Sequence, residues 1–212
     1  MLGAAAPAQR PGPPEVTLGG GFRAPIYDRD RNRPLGLVSG KEAKPSLVAG
    51  QLVVSGFRLE TYRYAPERAV DLSVESPSAV FDSRGATSDK GIELKDAAGR
   101  FAVRGEGWSW EQASGLLVVS NRVFTDLRTG ASSSSEEPVR ITADRLEYNL
   151  KSGATRFLGR CVAVQPGQAR LAARELVSRL GAETERPDAI RAQGEVTLEI
   201  LDRKSTRLNS SH

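Results

Sequence analysis

Residues Ile141 to Val164 read ITADRLEYNLKSGATRFLGRCVAV, and this stretch decides the predicted fold. Apolar and polar residues alternate up to Leu150, a period of two that is typical of a β-strand with one buried face. Ser152-Gly153 supplies a turn, and a second alternating strand follows it with a glycine, Gly159, inside. The stretch therefore predicts a β-hairpin that contains a glycine kink.

Parts of this layout occur twice more in the chain. The upstream segment GEGWSWEQASGLLVVSNRVFT, residues 105–125, repeats it at an offset of 38, so that Ser114-Gly115 corresponds to Ser152-Gly153. Downstream, residues 173–176 and 191–200 repeat its first and second strands less closely. Repeats of this period indicate one supersecondary unit stacked on the next.

The chain from Phe22 onward reads as short alternating strands separated by turn residues. Phe101–Val103 and Trp108–Trp110, for example, are predicted as two separate strands with a glycine-containing turn between them. Turn signals about every 8 to 12 residues are typical of a sandwich or barrel, so we predict an all-β fold.

One segment allows a second interpretation. Residues Gln168 to Leu180 hold alanines and leucines near helical spacing, which favours a helix. The same segment aligns with the first strand of the third repeat. We therefore predict a strand here.

Composition excludes several classes of protein. No apolar run approaches the roughly 18 residues that a membrane helix needs. The last eleven residues, Asp202 to His212, look like translated sequencing adapter, and without them the net charge falls from +4 to +2. This charge is no argument for nucleic-acid binding, and the basic, aromatic stretch Phe57 to Tyr64 is interpreted as an ordinary amphipathic strand.

The residue inventory also argues against catalysis. The only histidine, His212, belongs to the adapter-like tail, so no histidine-based catalysis or metal ligation is expected. The single cysteine, Cys161, lies among apolar residues and is predicted to be a buried thiol. Carboxylate pairs such as Asp28/Asp30 and Glu136-Glu137 lie in charged loops and are interpreted as solvated. We predict no catalytic residue, no metal site and no cofactor.

Strand alternation and the repeat together predict one inward-facing row of side chains. In a closed sandwich this row is packed core, whereas in a sheet that stays open it lines a long apolar groove suited to lipid. The sequence leaves both alternatives open. The predicted row comprises Val53, Phe57, Leu59, Phe81, Phe101, Val103, Trp108, Trp110, Leu117, Val119, Leu146, Tyr148 and Phe157.

Two of these motifs also carry a family resemblance. Two segments are similar to the repeat of the OstA-like, LptA/LptC family of lipopolysaccharide-export proteins: ADRLEYNLKSGATRFLGRCVAV, residues 143–164, and AQGEV, residues 192–196. The segment from Pro25 to Val123 resembles the LptC-type half of that family. The resemblance covers roughly Phe22 to Ile200.

The resemblance implies a twisted, open antiparallel β-jellyroll (β-taco) built of repeated hairpins. It implies a noncatalytic periplasmic protein that carries the acyl chains of lipopolysaccharide or a related lipid in its interior, where the predicted row would contact them. The implied role is assembly of the outer membrane in a Gram-negative envelope. Implied partners are other OstA-like β-jellyroll proteins, joined by edge-strand addition, and an inner-membrane ABC transporter complex.

The expected organisation has five parts. Residues 1–21 are a disordered linker or a signal remnant, 22–128 an LptC-like jellyroll half, 129–138 a flexible loop, 139–201 truncated OstA/LptA-like repeats, and 202–212 the adapter-like tail. The leading alternative is a closed β-sandwich or β-solenoid that serves as a structural module without lipid. An enzyme acting on envelope polysaccharide through paired carboxylates is a more distant alternative.

Overall fold

The computed structural model describes residues 21–27, 34–64, 68–128, 137–179 and 190–201. In these ranges the regular secondary structure is all strand, which confirms the predicted fold class. Most of the predicted linker, residues 129–136 of the predicted loop and the adapter-like tail lie outside the described residues. The strands are β1 Phe22–Tyr27, β2 Pro34–Gly40, β3 Glu42–Pro45, β4 Leu52–Tyr64, β5 Arg68–Asp82, β6 Gly85–Asp96, β7 Phe101–Glu111, β8 Leu116–Leu127, β9 Val139–Ala143, β10 Arg145–Asn149, β11 Ala154–Gln165, β12 Ala169–Arg179, β13 Arg191–Gln193 and β14 Thr197–Ile200.

All fourteen described strands belong to one antiparallel sheet, in which spatial order follows chain order. At three positions two short strands share one place in the sheet: β2 and β3 both pair with β4, β9 and β10 with β8 and β11, and β13 and β14 with β12. The sheet is continuous from β8 to β9 and β10, so the two predicted halves contribute to one sheet. The segment Gln168–Leu180 contains strand β12, as predicted.

A line of backbone irregularities crosses the middle of the long strands, and we call it the crease. Positive φ angles mark it at Gly56 in β4 (58°), Gly107 in β7 (64°), Arg122 in β8 (51°) and Gly159 in β11 (95°). The three places where paired short strands meet lie on the same line. Bulges bend a strand and increase its local twist, so a row of them bends the whole sheet.

The crease folds the sheet into two layers. The first layer holds β1, β2, β9, β14 and the strand halves that pair with them; the second holds β3, β10, β13 and the remaining halves. Aromatic contacts join strands that are not neighbours in the sheet: ring centroids lie 5.2 Å apart for Phe57 and Trp108, and 5.8 Å apart for Phe101 and Tyr148. The buried apolar side chains lie between the layers, from Phe22 in β1 to Leu176 in β12.

The structure corrects one strand assignment. Phe101–Val103 and Trp108–Trp110 are parts of a single strand, β7, rather than two strands. The register of β7 with β8 shifts between Arg104 and Glu106, and its register with β6 shifts next to this position. Across these shifts the buried residues of β7 change from odd to even numbers. The glycines that were interpreted as a turn are the crease of this strand.

The 38-residue repeat is visible in the turns. In both turns the glycine amide, of Gly115 or Gly153, donates to the carbonyl four residues earlier, over 2.9 Å and 2.8 Å. In both, the hydroxyl of the preceding serine, Ser114 or Ser152, accepts from the amide two residues later, over 3.2 Å and 3.3 Å. The same residue types at the same offset thus form the same hydrogen bonds, as expected for local turn chemistry.

Candidate functional site

The apolar interior between the two layers receives nearly all of the predicted inward row. Eleven of its thirteen side chains are buried, and Phe81 is partly buried with its ring 5.7 Å from that of Phe22. The eleven are Phe57, Leu59, Phe101, Val103, Trp108, Trp110, Leu117, Val119, Leu146, Tyr148 and Phe157. Their contact with lipid stays a prediction.

Val53 was wrongly assigned to this row. Its side chain is 42% exposed, whereas the neighbouring Val54 is fully buried. If every second residue before Phe57 faced inward, Val53 would do so. The bend at Gly56, where φ is 58°, breaks this alternation, so that Val54 faces inward instead. Val54 therefore takes the place that Val53 was expected to hold.

Trp108 is held at the crease by a hydrogen bond. Its indole Nε1 donates to Ser76 Oγ over 3.2 Å, and the Ser76 hydroxyl donates in turn to the Gly91 carbonyl over 2.8 Å. Because the indole N–H and the Ser76 hydroxyl each have a partner, these hydrogen bonds stabilise the packed arrangement. Trp108 therefore has a structural role.

Trp110 is different, although it lies one inward step further along the same strand. Its side chain is only 6% exposed, and its Nε1 has no acceptor within hydrogen-bonding distance among the described residues. Two threonine hydroxyls, Thr61 Oγ1 and Thr125 Oγ1, are likewise buried without a partner in the described part of the chain. A buried donor without an acceptor costs about 1–3 kcal/mol, so these atoms are notable among the buried side chains.

Tyr148 lies where the outer ends of the two layers meet. Its ring contacts that of Phe101, and burial raises the pKa of its hydroxyl, with a further contribution from the negative charges of Asp71 and Asp96. Asp96 is itself buried, accepts from the backbone amides of Arg100 and Phe101 and forms an ion pair of 2.7 Å with the Arg100 guanidinium. Polar groups from both layers thus gather beside this part of the interior.

The interior is uncovered at the β14 end of the sheet. Leu198 and Ile200 pair directly with Leu171 and Ala169 of β12, and directly opposed residues of an antiparallel pair share a face. Leu171 packs against the core, so Leu198 and Ile200 extend the inner face, yet they are 61% and 79% exposed. At the opposite end, the inner-face residues of β1 are buried. We call the exposed inner face of β14 the open end.

The outer face of the crease carries ion pairs that repeat with the sequence. Glu106–Arg122 (3.1 Å) and Asp144–Arg160 (2.9 Å) occupy equivalent positions, 38 residues apart. Hydrogen bonds from the side chain and then the backbone amide of Arg160 lower the pKa of Asp144. These groups are exposed and already paired, and they hold the bulges rather than form a reactive site.

Two clefts, each of about 640 Å³, lie along this outer face. One lies between β11 and β12, over Val162 and Ala172, with the Asp144–Arg160 pair at its rim. The other lies over Gly56 and Gly91 near the first strands. Within the described ranges, no group of three or more histidine, cysteine, aspartate or glutamate residues is placed to hold a metal ion.

Cys161 is expected to be unreactive in the folded protein. It is 1% exposed, and burial raises the pKa of its thiol, so less of it is thiolate at a given pH. Since the chain has one cysteine, Ellman's reagent at pH 8 reports on this residue alone. We expect slow labelling of the native protein and rapid labelling in denaturant. Equal rates in the two conditions would contradict the buried position.

Sequence reasoning missed the open end. It recognised Val196, Leu198 and Ile200 as an alternating strand but did not include them in the interior row. Their alternation was a sufficient signal for the strand, but their exposure depends on what lies opposite in the other layer.

Of the described chain, no segment forms a helix able to reach across a bilayer.

The sequence matches no protein-family model and no curated protein.

Proposed function

We propose that this protein is a noncatalytic lipid-binding protein that holds acyl chains in the interior of an open antiparallel β-jellyroll (β-taco). The observation that carries the proposal is the open end. There the inner face of the sheet continues as leucine and isoleucine side chains that are mostly exposed to solvent.

The energetics of lipid carriage favour such an end. Moving an acyl chain through water requires an apolar surface that replaces the membrane, and each buried methylene is worth about 0.8 kcal/mol. In the proposed arrangement, the chain first lies on Leu198 and Ile200 and then extends between the two layers towards Leu176 and Phe157. Leu171, which pairs with Leu198, packs against the apolar cluster to which Leu176 and Phe157 belong.

The resemblance to the OstA-like family extends the proposal. The lipid is then lipopolysaccharide or a related envelope lipid, the location is the periplasm, and the role is transport or assembly in the outer membrane. The backbone of an edge strand offers unpaired amide and carbonyl groups, which favour strand addition by another β-jellyroll protein. An inner-membrane ABC transporter complex is the proposed source of the lipid.

The open end allows a direct test. We expect Leu198→Glu to weaken the binding of lipopolysaccharide by about tenfold or more, because burying a leucine side chain is worth about 1.5–3 kcal/mol. Affinity is measured by displacement of a fluorescent fatty acid from the wild-type and variant proteins. Thr197→Glu is the matched control, since Thr197 is the adjacent exposed residue on the other face of the same strand.

The two variants separate a specific effect from a general one. Equal loss of affinity in both would indicate that negative charge near the edge repels lipopolysaccharide. Wild-type affinity in Leu198→Glu would show that the open end takes no part in binding.

A closed structural module remains the second candidate, and the burial of eleven residues of the predicted row favours it. In that case the interior is ordinary core, and the exposed residues of β14 contact a protein. Absence of binding by the wild-type protein to lipopolysaccharide, phospholipid and fatty acid would favour this candidate over the lipid carrier.

A further inference from the structure

We infer that the cleft between β11 and β12 binds a zwitterionic lipid head group, one that carries both a phosphate and an ammonium group. This inference rests on the proposed lipid-binding function and adds to it the chemical class of the head group. Its starting point is the set of four charged side chains that line the cleft: the guanidinium groups of Arg160 and Arg174 and the carboxylates of Asp144 and Glu195.

The cleft has the size and the lining of a site for a small polar group. Its volume is about 640 Å³, and ligand pockets in proteins span about 300–1,000 Å³. Val162 and Ala172, which are direct partners across β11 and β12, supply an apolar floor between the charged side chains. The floor can contact the carbon atoms of a head group while the rim contacts its charged atoms.

The charges of the rim are balanced, and each pair is exposed. Arg160 pairs with Asp144 over 2.9 Å, and Arg174 pairs with Glu195. The two arginine side chains are 90% and 71% exposed, and ion pairs exposed to this degree contribute little to stability. Asp144 also accepts from the backbone amide of Arg160 over 3.0 Å, so it keeps a partner when the guanidinium turns away. A ligand therefore exchanges partners with this rim at small cost.

A zwitterion fits the rim better than an anion does. A phosphate accepts from both guanidinium groups, and an ammonium group then takes their place beside the carboxylates, so that every charge stays paired. An anionic head group gains the same contacts with the arginines. It leaves Asp144 and Glu195 without a cation, however, and close to its own negative charge.

The cleft lies beside the open end, at the same edge of the sheet. Glu195 belongs to the short segment between β13 and β14, and Leu198 follows three residues later, at most about 10 Å further along the chain. Val196 lies between them and is 51% exposed. A lipid whose acyl chain contacts Leu198 on the inner face therefore reaches the cleft with its head group by crossing the edge of the sheet at Val196.

The test compares lysophosphatidylethanolamine with lysophosphatidylglycerol of equal chain length, since only the first carries an ammonium group. We expect the wild-type protein to bind the ethanolamine lipid about three- to tenfold more tightly, because this lipid keeps the carboxylates paired. The double variant Asp144→Asn/Glu195→Gln keeps the shape of both side chains and removes their charge. We expect its preference to be reversed, since the rim then carries two positive charges and no negative one.

Two further variants separate the cleft from ion pairs in general. Arg160→Gln/Arg174→Gln is expected to weaken the binding of both lysolipids by about fivefold or more, because the phosphate loses its donors. Arg122→Gln is the matched control, since Arg122 forms the equivalent ion pair with Glu106 and lines neither cleft. It is expected to bind both lysolipids as the wild-type protein does.

A soluble probe tests the head group without an acyl chain. Glycerophosphoethanolamine is expected to shift the backbone amide resonance of Gly159, which lines the cleft, in a ¹⁵N-correlated spectrum. The amide resonance of Gly107, at the crease of β7, is expected to stay in place.

The outcomes separate this inference from the function on which it rests. Binding of both lysolipids without a preference for ethanolamine, or a preference that survives in Asp144→Asn/Glu195→Gln, would overturn the head-group site and leave lipid carriage standing. A shift of the Gly159 resonance by the soluble probe, with no binding of either lysolipid below micelle formation, would keep the site and overturn lipid carriage. If neither lysolipid binds and the soluble probe shifts nothing, both proposals fail.

Discussion

Replacing Trp108 by alanine is expected to lower the free energy of unfolding by about 3–5 kcal/mol, the usual cost of removing a large buried aromatic side chain. Trp108 is 2% exposed, its ring contacts Phe57 across the two layers, and its Nε1 donates to Ser76. The substitution leaves a cavity at the crease and removes the donor to the Ser76 hydroxyl. Urea denaturation followed by circular dichroism measures the effect, since this readout does not depend on tryptophan fluorescence.

A matched pair of conservative variants isolates the hydrogen bond. Trp108→Phe loses both part of the ring and the bond to Ser76, whereas Trp110→Phe loses a donor that has no acceptor in the described chain. We expect Trp108→Phe to be less stable than Trp110→Phe by about 1–2 kcal/mol. Equal stability of the two variants would mean that the Ser76 contact contributes nothing to the fold.

Gly85→Ala is expected to destabilise the protein by about 4 kcal/mol, through overpacking together with backbone strain. A Cβ atom at Gly85 would lie 1.9 Å from the carbonyl oxygen of Trp110 and 2.9 Å from its carbonyl carbon. Both are backbone atoms of the neighbouring strand, so no side-chain rotation relieves the clash. Backbone strain adds to this clash, because alanine rarely adopts the φ of 155° found at this residue.

Gly99→Ala is the control for this variant. Gly99 also has a positive φ, 68°, but no atom lies within 4 Å of the position that a Cβ would take. Its replacement is expected to cost only the backbone term, about 1–2 kcal/mol. Thermal and urea denaturation of the two variants compare the effects. Similar losses in both would show that the close approach of β6 to Trp110 does not govern the effect.

Much of the fold follows from local patterns in the sequence. The turns at Ser114-Gly115 and Ser152-Gly153 form the same hydrogen bonds because a glycine and a serine are sufficient to specify them. Alternation through Leu146 and Tyr148 selects the buried face of β10 without reference to any other strand. For the segment Gln168–Leu180, the repeat predicted a strand and the residue composition favoured a helix. The strand prediction is confirmed, since β12 pairs with β11 on one side and with β13 and β14 on the other.

The sequence by itself thus determined the all-β class, the turns and most of the inward row, because side-chain alternation and turn chemistry act over a few residues. Only the tertiary structure decided where alternation is reversed, as at Gly56 and between Val103 and Trp108, since a bulge is placed by the strands on either side of it. It also decided that Leu198 and Ile200 are exposed while the inner face of β1 is covered. Whether an apolar side chain is core or open surface depends on what the fold brings opposite it, and no local pattern carries that information.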